Sequence, residues 1–153
     1  KLNLKDEASV LSAFEQMDHL LRSRLGREAK PLFMAQKQMP PGLGLVLGGK
    51  RDAQFGSVVM VGFGGIFIEV LKDVVFRIAP LSEEEALHML DELRAQALFT
   101  GTRGLAPIDK KAFARTIHKF SLLLAEHPEI VEMDLNPLIW STERHEAVVV
   151  DMR

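Results

Sequence analysis

"EMDLNPLIW", residues 132–140, alternates acidic and amide side chains with apolar ones until it reaches a proline. Because successive side chains of a strand point to opposite faces, Glu132, Asp134 and Asn136 would share one face of a strand. "AVVVDMR", residues 147–153, follows the polar stretch "STERHE" and has the composition of a second strand. The two segments therefore predict a terminal β-hairpin with one apolar face and one polar face.

The polar face of this hairpin is a candidate metal site. A hairpin could place Asp151 beside Asn136 at cross-strand distance. An asparagine carbonyl with one or two carboxylates forms a hard oxygen site that suits Mg²⁺, and such sites usually share the ion with the phosphates of a nucleotide. The same alternation also fits a strand face that only contacts water, and the spacing alone leaves both interpretations open.

The rest of the chain alternates between helical and extended patterns. Helices are predicted where apolar residues recur every three or four positions, at 5–24, 82–93 and 109–127. Strands are predicted at 32–39, 43–52, 56–63, 130–140 and 146–153. Residues 65–80 are interpreted as a strand or a bent hairpin, broken near Lys72. Strands mixed with helices, and joined mainly by antiparallel links, predict an α+β fold.

Composition excludes several functional classes. The chain has 153 residues, enough for about one domain, and a net charge of −2 that provides no basic field for nucleic acid. It has no cysteine, which excludes thiol catalysis and thiolate metal sites and is compatible with the cytoplasm. No apolar run approaches the roughly 20 residues that span a bilayer, so no membrane partner is expected.

A glycine-rich segment is a second candidate site. "GFGGIFIE", residues 62–69, sets Gly64 and Gly65 between two apolar stretches, where glycine permits positive φ and lets backbone N–H groups approach an anion. The segment lacks the Gly-Lys-Ser/Thr ending of a Walker loop, and a simple hairpin turn explains it as well. Glu69 is either a cofactor-binding residue or an ordinary surface residue of a strand.

Two arginines stand in contexts that could carry function. Arg77 lies among apolar neighbours in "VFRIAPL", where arginine either extends along the apolar surface or pairs with an anion such as phosphate. Arg103 lies in the glycine-rich loop "GTRGLAPID", where it can also be a solvated charge of a turn.

Taken together, "GGKRDAQFGSVVMVGFGGIFIEVLKDVVFRIAPLSEEEAL", "GTRGLAPID" and "EMDLNPL…VVVDMR" resemble the ATP-grasp module of NDP-forming (ADP-forming) acyl-CoA synthetases. That group includes the acetyl-CoA synthetase β subunit and is related to the succinyl-CoA synthetase β subunit. The resemblance implies that residues 1–153 form a single subdomain, the larger, C-terminal type of ATP-grasp subdomain, within a longer multidomain chain. It also implies the reaction acyl-CoA + ADP + phosphate ⇌ acid + ATP + CoA, through a phosphohistidine on another domain, with Mg²⁺ and ATP or ADP as cofactors.

The resemblance implies a role for each candidate residue. Asn136 and Asp151 match the Mg²⁺ ligands of the family, and Asp134 matches an acidic position that orients metal or phosphate. Arg77 and the Gly64–Gly65 turn match the segment that faces the phosphates. The stretch that leads to the adenine linker contains Gln36, Lys37, Gln38 and Met39, and Arg103 matches a loop position close to the active site.

One departure from the family opens an alternative function. Gly44 stands where the family usually has a glutamate, which removes a polar contact from the nucleotide cleft. The alternative is a non-catalytic regulatory or sensing domain of a protein fused to an acetyltransferase domain, although the complete set of Asn136, Asp134 and Asp151 argues against it. The expected partners are CoA-binding and ligase domains of the same protein or of a partner subunit, and the isolated chain is expected to be inactive.

Overall fold

The computed structural model describes residues 1–26, 28–40, 42–64, 67–101, 107–141 and 144–153, without the side chains of Phe67 and Glu69. The chain divides into two compact units, Lys1–Pro40 and Pro41–Arg153. Among the described helices there is none with the length and hydropathy that a membrane crossing requires.

The first unit contains one long helix and an irregular segment. Helix α1, Glu7–Leu25, begins after Asp6, whose carboxylate accepts a hydrogen bond from the Ser9 backbone N–H at 2.7 Å. This bond lowers the pKa of the Asp6 carboxyl. The predicted strand at 32–39 is wrong, because these residues have no regular structure and Leu32 is 98% exposed. A strand needs a neighbour to pair with, and the described part of this unit contains none.

The second unit is built on an antiparallel sheet. Its described strands are β1 Gly44–Asp52, β2 Gly56–Phe63, β3 Val74–Ile78, β4 Glu132–Ser141 and β5 Glu146–Val149. They lie in the order β3-β2-β1-β4-β5, and each neighbouring pair is antiparallel. In the described residues two α-helices follow β3, α2 Glu83–Glu92 and α3 Lys110–Glu126, with a 3-10 helix at Gln96–Thr100 between them. The predicted α+β class is confirmed.

The interpretation of residues 65–80 is half right. The second apolar run forms β3, but the first forms one turn of π-helix at Phe67–Leu71 instead of a strand. The chain reverses at Lys72, which has a φ of 49°. The buried carboxylate of Asp73 then accepts the backbone N–H groups of Arg94 and Ala95, each at 2.9 Å, which fixes the chain immediately before β3 begins at Val74.

The core lies between one face of the sheet and the helices that follow β3. Alternate residues of β1 and β2 point into it, and they are fully buried together with the inner side of α3: Leu45, Leu47, Val59, Val61, Phe113 and Ile117. The opposite face of the sheet carries the other alternation, including Phe76 and Ile78, which are exposed. Because the helices cover only one face of the sheet, the opposite face can carry a ligand-binding site.

The start of α2 depends on a reciprocal cap. The Ser82 hydroxyl accepts the Glu85 N–H at 3.1 Å, and the Glu85 carboxylate accepts the Ser82 N–H at 2.8 Å. The spacing of serine and glutamate in "SEEE", residues 82–85, is typical of such a capping box. Replacing Ser82 with alanine should lower the free energy of unfolding by about 1 kcal/mol, since the Glu85 N–H loses its acceptor. Urea denaturation followed by circular dichroism measures this loss.

The Glu85 half of the cap should depend on pH. The Ser82 backbone N–H and then the Ser82 hydroxyl lower the pKa of Glu85. A lowered pKa contributes stability above the ordinary pKa of glutamate and loses it as the pH falls through the lowered value. Glu85→Ala should therefore differ from the parent at neutral pH and converge with it in acid. Glu84→Ala is the control, and a Glu85 effect that is constant across this pH range would contradict the assignment.

Candidate metal and nucleotide site

The terminal hairpin brings Asn136 and Asp151 together, as the sequence predicts. Leu138 of β4 pairs with Val149 of β5, and an isolated bridge between Leu135 and Met152 continues the same register. The Asn136 backbone N–H donates to the Asp151 carbonyl at 3.1 Å. Directly opposite residues of an antiparallel pair point to the same face, so the two side chains stand side by side.

Asp134 lies on the same face, next along β4. Its backbone exchanges two hydrogen bonds with Arg153, at 2.8 and 2.9 Å, which sets these two residues opposite each other. On its other side Asp134 pairs with Gly48 of β1, and a Cβ added to Gly48 would lie 3.9 Å from Asp134 Oδ1. Met60 Cε would lie still closer to that Cβ, at 3.2 Å, so a side chain at Gly48 would crowd both Met60 and this half-buried carboxylate.

A β-bulge separates the polar part of β4 from its buried end. Leu45 pairs with Leu138 whereas Leu47 pairs with Leu135, so Asn136 and Pro137 together oppose a single residue of β1. Leu135 and Leu138 are both buried although they are three positions apart, because the bulge changes which alternate residues face the core. Asn136 is exposed at the kink. The sequence signal for the bulge is a proline inside a strand pattern.

The oxygen donors of this cluster suit a hard cation. Asp151 is half exposed, and its Oδ1 accepts the Met152 N–H at 3.0 Å. Within the described ranges no group of three or more His, Asp or Glu side chains is close enough to hold a metal. Two carboxylates and the amide oxygen of Asn136 nevertheless supply three hard donors, and solvent can fill the remaining positions that Mg²⁺ requires. The donor chemistry fits Mg²⁺.

Arg153 is a residue of this cluster that the sequence interpretation missed. Its Nε lies 3.6 Å from Asp151 Oδ2, and its backbone is paired with Asp134. The signal that could have found it is spacing, because a residue two positions after Asp151 in a strand returns to the same face.

Gly44 lies at the same end of the sheet as the bulge. It pairs with Ile139, and a Cβ added to it would lie 3.7 Å from Pro137 Cβ, an ordinary contact distance. The Gly64 backbone N–H donates to the Gly44 carbonyl at 2.8 Å. The N–H of Gly64 is therefore used by the sheet, while Gly65 lies outside the described residues.

The structure does not bring Arg77 to the cluster. Arg77 pairs with Val59, whose side chain is fully buried on the helix-covered face, so its own side chain points to that face. Its Nη2 forms an ion pair with Glu92 of α2, and its Nη1 donates to the Phe76 carbonyl at 2.8 Å. The register of β3 thus separates Arg77 from the carboxylates, and its contact with phosphate stays a prediction.

The other candidate residues lie elsewhere in the chain. Gln36 and Lys37 are exposed and Met39 is half-buried in the first unit. Gln38 in that unit accepts the Asn3 N–H at 2.6 Å and donates to the Asn3 side chain at 2.9 Å. The backbone of Glu69 lies in the π-helical turn, and Arg103 lies outside the described residues.

Comparison with known sequences identifies the whole chain as similar to one kind of domain. The sequence model of a family described as ATP-grasp domain matches residues 1–153. The chain is 37% identical, over 153 residues, to the ADP-forming acetate–CoA ligase I subunit beta of Pyrococcus furiosus, and the match covers 100% of this chain and 65% of that protein. The chain thus spans less than two thirds of the length of the curated relatives that it matches first.

Solved structures agree with this result. The chain resembles the dinucleotide-forming acetyl-coenzyme A synthetase 1 of Ca. Korarchaeum cryptofilum in complex with coenzyme A, Ca-AMPCP and HgCl⁺, with a TM-score of 0.84, 39% identity, and coverage of 99% of this chain and 66% of that chain. A second structure of that enzyme contains coenzyme A and Mg-AMPPCP, and its phosphohistidine segment points towards the nucleotide-binding site. The similarity to this second structure has a TM-score of 0.80 and 38% identity, and it covers 100% of this chain and 65% of that chain. These relatives are named as ligases and synthetases, and they do not support the alternative of a regulatory domain.

Proposed function

Because the chain belongs to the ATP-grasp domain family, we propose that it is the nucleotide- and Mg²⁺-binding part of an NDP-forming acyl-CoA synthetase. The complete ligase would interconvert acyl-CoA, ADP and phosphate with the free acid, ATP and CoA. A phosphohistidine on another domain would carry the phosphoryl group. This proposal rests mainly on the register of the hairpin, which sets Asn136 opposite Asp151, with Asp134 on the same face.

In this proposal the hairpin holds the metal. The amide oxygen of Asn136 and the carboxylates of Asp151 and Asp134 would bind Mg²⁺, which would supply charge neutralisation for the phosphates. Strand β4 is paired on both sides, with β1 and with β5, so its side chains are held by a sheet and not by a loop. A rigid support of this kind keeps ligands in place with little reorganisation, which is what phosphoryl transfer demands of the protein.

The phosphate and adenine contacts belong to other segments. We assign the phosphates to Arg77, Arg103, Glu69 and the Gly64–Gly65 segment, and the adenine to the stretch Gln36–Met39. Arg77 would have to leave Glu92, and an anion would have to approach the helix-covered face of the sheet, to which its side chain points. Both side chains of the ion pair are partly exposed, so breaking the pair itself costs little.

The remaining parts of the reaction require partners. CoA-binding and ligase domains, in the same protein or in a partner subunit, would supply the acyl-CoA site and the phosphohistidine. The isolated chain would then bind nucleotide weakly and turn over no substrate. A location in the cytoplasm stays a prediction, and fractionation of cells that produce the protein would test it.

Calorimetric titration of the chain with Mg·ADP tests the proposal. Asp151→Ala should weaken the Mg²⁺-dependent binding at least about tenfold, because it removes a charged ligand from the ion. Glu146→Ala is the matched control. Glu146 lies in the same hairpin, at the start of β5, and its carboxylate is 3.6 Å from an arginine, Arg144, just as that of Asp151 is from Arg153. Binding by this control should equal that of the parent.

Two results would count against the proposal. Equal weakening by Asp151→Ala and Glu146→Ala would mean that the hairpin contributes only general negative charge. If the chain alone binds too weakly to measure, the same variants are compared in the complete ligase, where binding of Mg·ADP that does not depend on Asp151 would contradict the assignment.

A further inference from the structure

The positively charged side chain of Arg153 lies beside the proposed metal ligands. Arg153 is opposite Asp134 in the hairpin, and its guanidinium Nε is 3.6 Å from Asp151 Oδ2. Its side chain is 84% exposed, so it is free to turn between solvent and the cluster. Lys50, a second described positive group on this face, lies 3.5 Å from Glu132, farther along β4 from Asn136.

A fixed positive charge beside a metal site acts differently on different ligands. It repels a bare divalent cation and competes with it for the carboxylate of Asp151. It attracts the complex of that cation with ADP, because the phosphates give the complex a net negative charge. At a distance of about 6 Å in water, one charge acting on a divalent ion changes its affinity about threefold to tenfold after partial screening.

We infer that Arg153 makes the site selective for the cation–nucleotide complex over the bare cation. It serves as the counter-ion of Asp151 while the site lacks a cation, and it turns towards the phosphates when the complex binds. This inference rests on the proposed function, since it requires Asn136, Asp134 and Asp151 to bind the metal. Arg153 is thus a specificity-determining residue, and its effect should have opposite signs for the two ligands.

Two titrations of the chain test this inference, and neither measures catalysis. The first uses Mn²⁺ alone, with the free ion measured by electron paramagnetic resonance, and the second uses Mg·ADP in a calorimeter. Arg153→Gln should bind Mn²⁺ about threefold to tenfold more tightly than the parent and should bind Mg·ADP more weakly. Both differences should shrink when the ionic strength is raised.

Two further variants serve as controls. Arg153→Lys keeps the positive charge and should bind both ligands as the parent does. Arg144→Gln removes a guanidinium from the same hairpin that is also 3.6 Å from a carboxylate. Arg144 lies in the turn that follows Ser141, the last residue of β4. Ser141 is five residues after Asn136, which corresponds to about 17 Å along the strand. That distance exceeds the screening length of about 8 Å at physiological salt, so Arg144→Gln should change neither titration.

The outcomes separate this inference from the proposed function. If Arg153→Gln binds Mn²⁺ no more tightly than the parent, or shifts both ligands in the same direction, the selectivity assigned to Arg153 is wrong although the metal site stands. If Arg144→Gln has the same effect as Arg153→Gln, only net charge matters and the inference is also wrong. If neither the chain nor the complete ligase binds Mn²⁺ or Mg·ADP, the metal site and the role of Arg153 fall together.

Discussion

Replacing Phe113 with alanine should lower the free energy of unfolding by about 3–5 kcal/mol. Phe113 lies on α3 with 0% of its side chain exposed, within the core between the helices and the sheet. Truncation removes apolar area from the core and leaves a cavity that the rigid sheet cannot close. The same layer supports β1 and β4, which hold the proposed metal ligands, so binding of Mg·ADP should disappear as the variant unfolds.

Urea denaturation measures the Phe113 effect against a matched substitution. Phe55 lies in the turn between β1 and β2 and is 61% exposed. Phe55→Ala makes the same chemical change without a cavity, and it should alter the free energy of unfolding by less than about 0.5 kcal/mol. Equal losses for the two variants would contradict the assignment of the core to the α3 side of the sheet.

Replacing Gly62 with alanine should destabilise the protein by about 3 kcal/mol, the upper part of the range for overpacking. An added Cβ would lie 2.7 Å from the Asp73 carbonyl oxygen and 2.9 Å from Val74 Cγ1. The carbonyl cannot move away easily, because the side chain of Asp73 is anchored by the N–H groups of Arg94 and Ala95. The clash would separate β2 from β3, and thermal denaturation would detect the loss.

Gly44→Ala is the matched control for Gly62→Ala. Its Cβ would make only an ordinary contact, 3.7 Å from Pro137 Cβ, and the change should stay within about 0.5 kcal/mol. Both positions lie in strands of the same sheet, so the general propensity of alanine and glycine cancels in the comparison. A Gly62→Ala protein as stable as Gly44→Ala would show that β3 can shift, and that the anchor at Asp73 is weak.

Some elements could be predicted because their signals are local. The cap of Ser82 and Glu85 involves residues three positions apart, and the structure contains both of its hydrogen bonds. The terminal hairpin was predictable in the same way, since two neighbouring strands joined by a short turn can pair in few registers. This register sufficed to predict that Asn136 and Asp151 would be neighbours, as the backbone hydrogen bond between them confirms.

Other elements were not predictable because their cause lies in distant parts of the chain. Residues 32–39 have the composition of a strand, but a strand forms only where a neighbour accepts its backbone hydrogen bonds, and composition cannot supply one. The run at Phe67–Leu71 was predicted as extended, yet it forms a helical turn just before the anchor of Asp73 on Arg94 and Ala95.

The sequence by itself determined the α+β class, the helix caps and the set of oxygen-bearing side chains on the terminal hairpin, because alternation and capping act over a few residues. Only the tertiary structure decided which face each side chain occupies. The pairing of β1 with β4 produces the bulge at Asn136 and Pro137, and the pairing of β2 with β3 turns Arg77 towards Glu92. The physical reason is the two-residue period of a strand, since a shift of one residue, set by a neighbour far away in sequence, moves a side chain to the other face of the sheet.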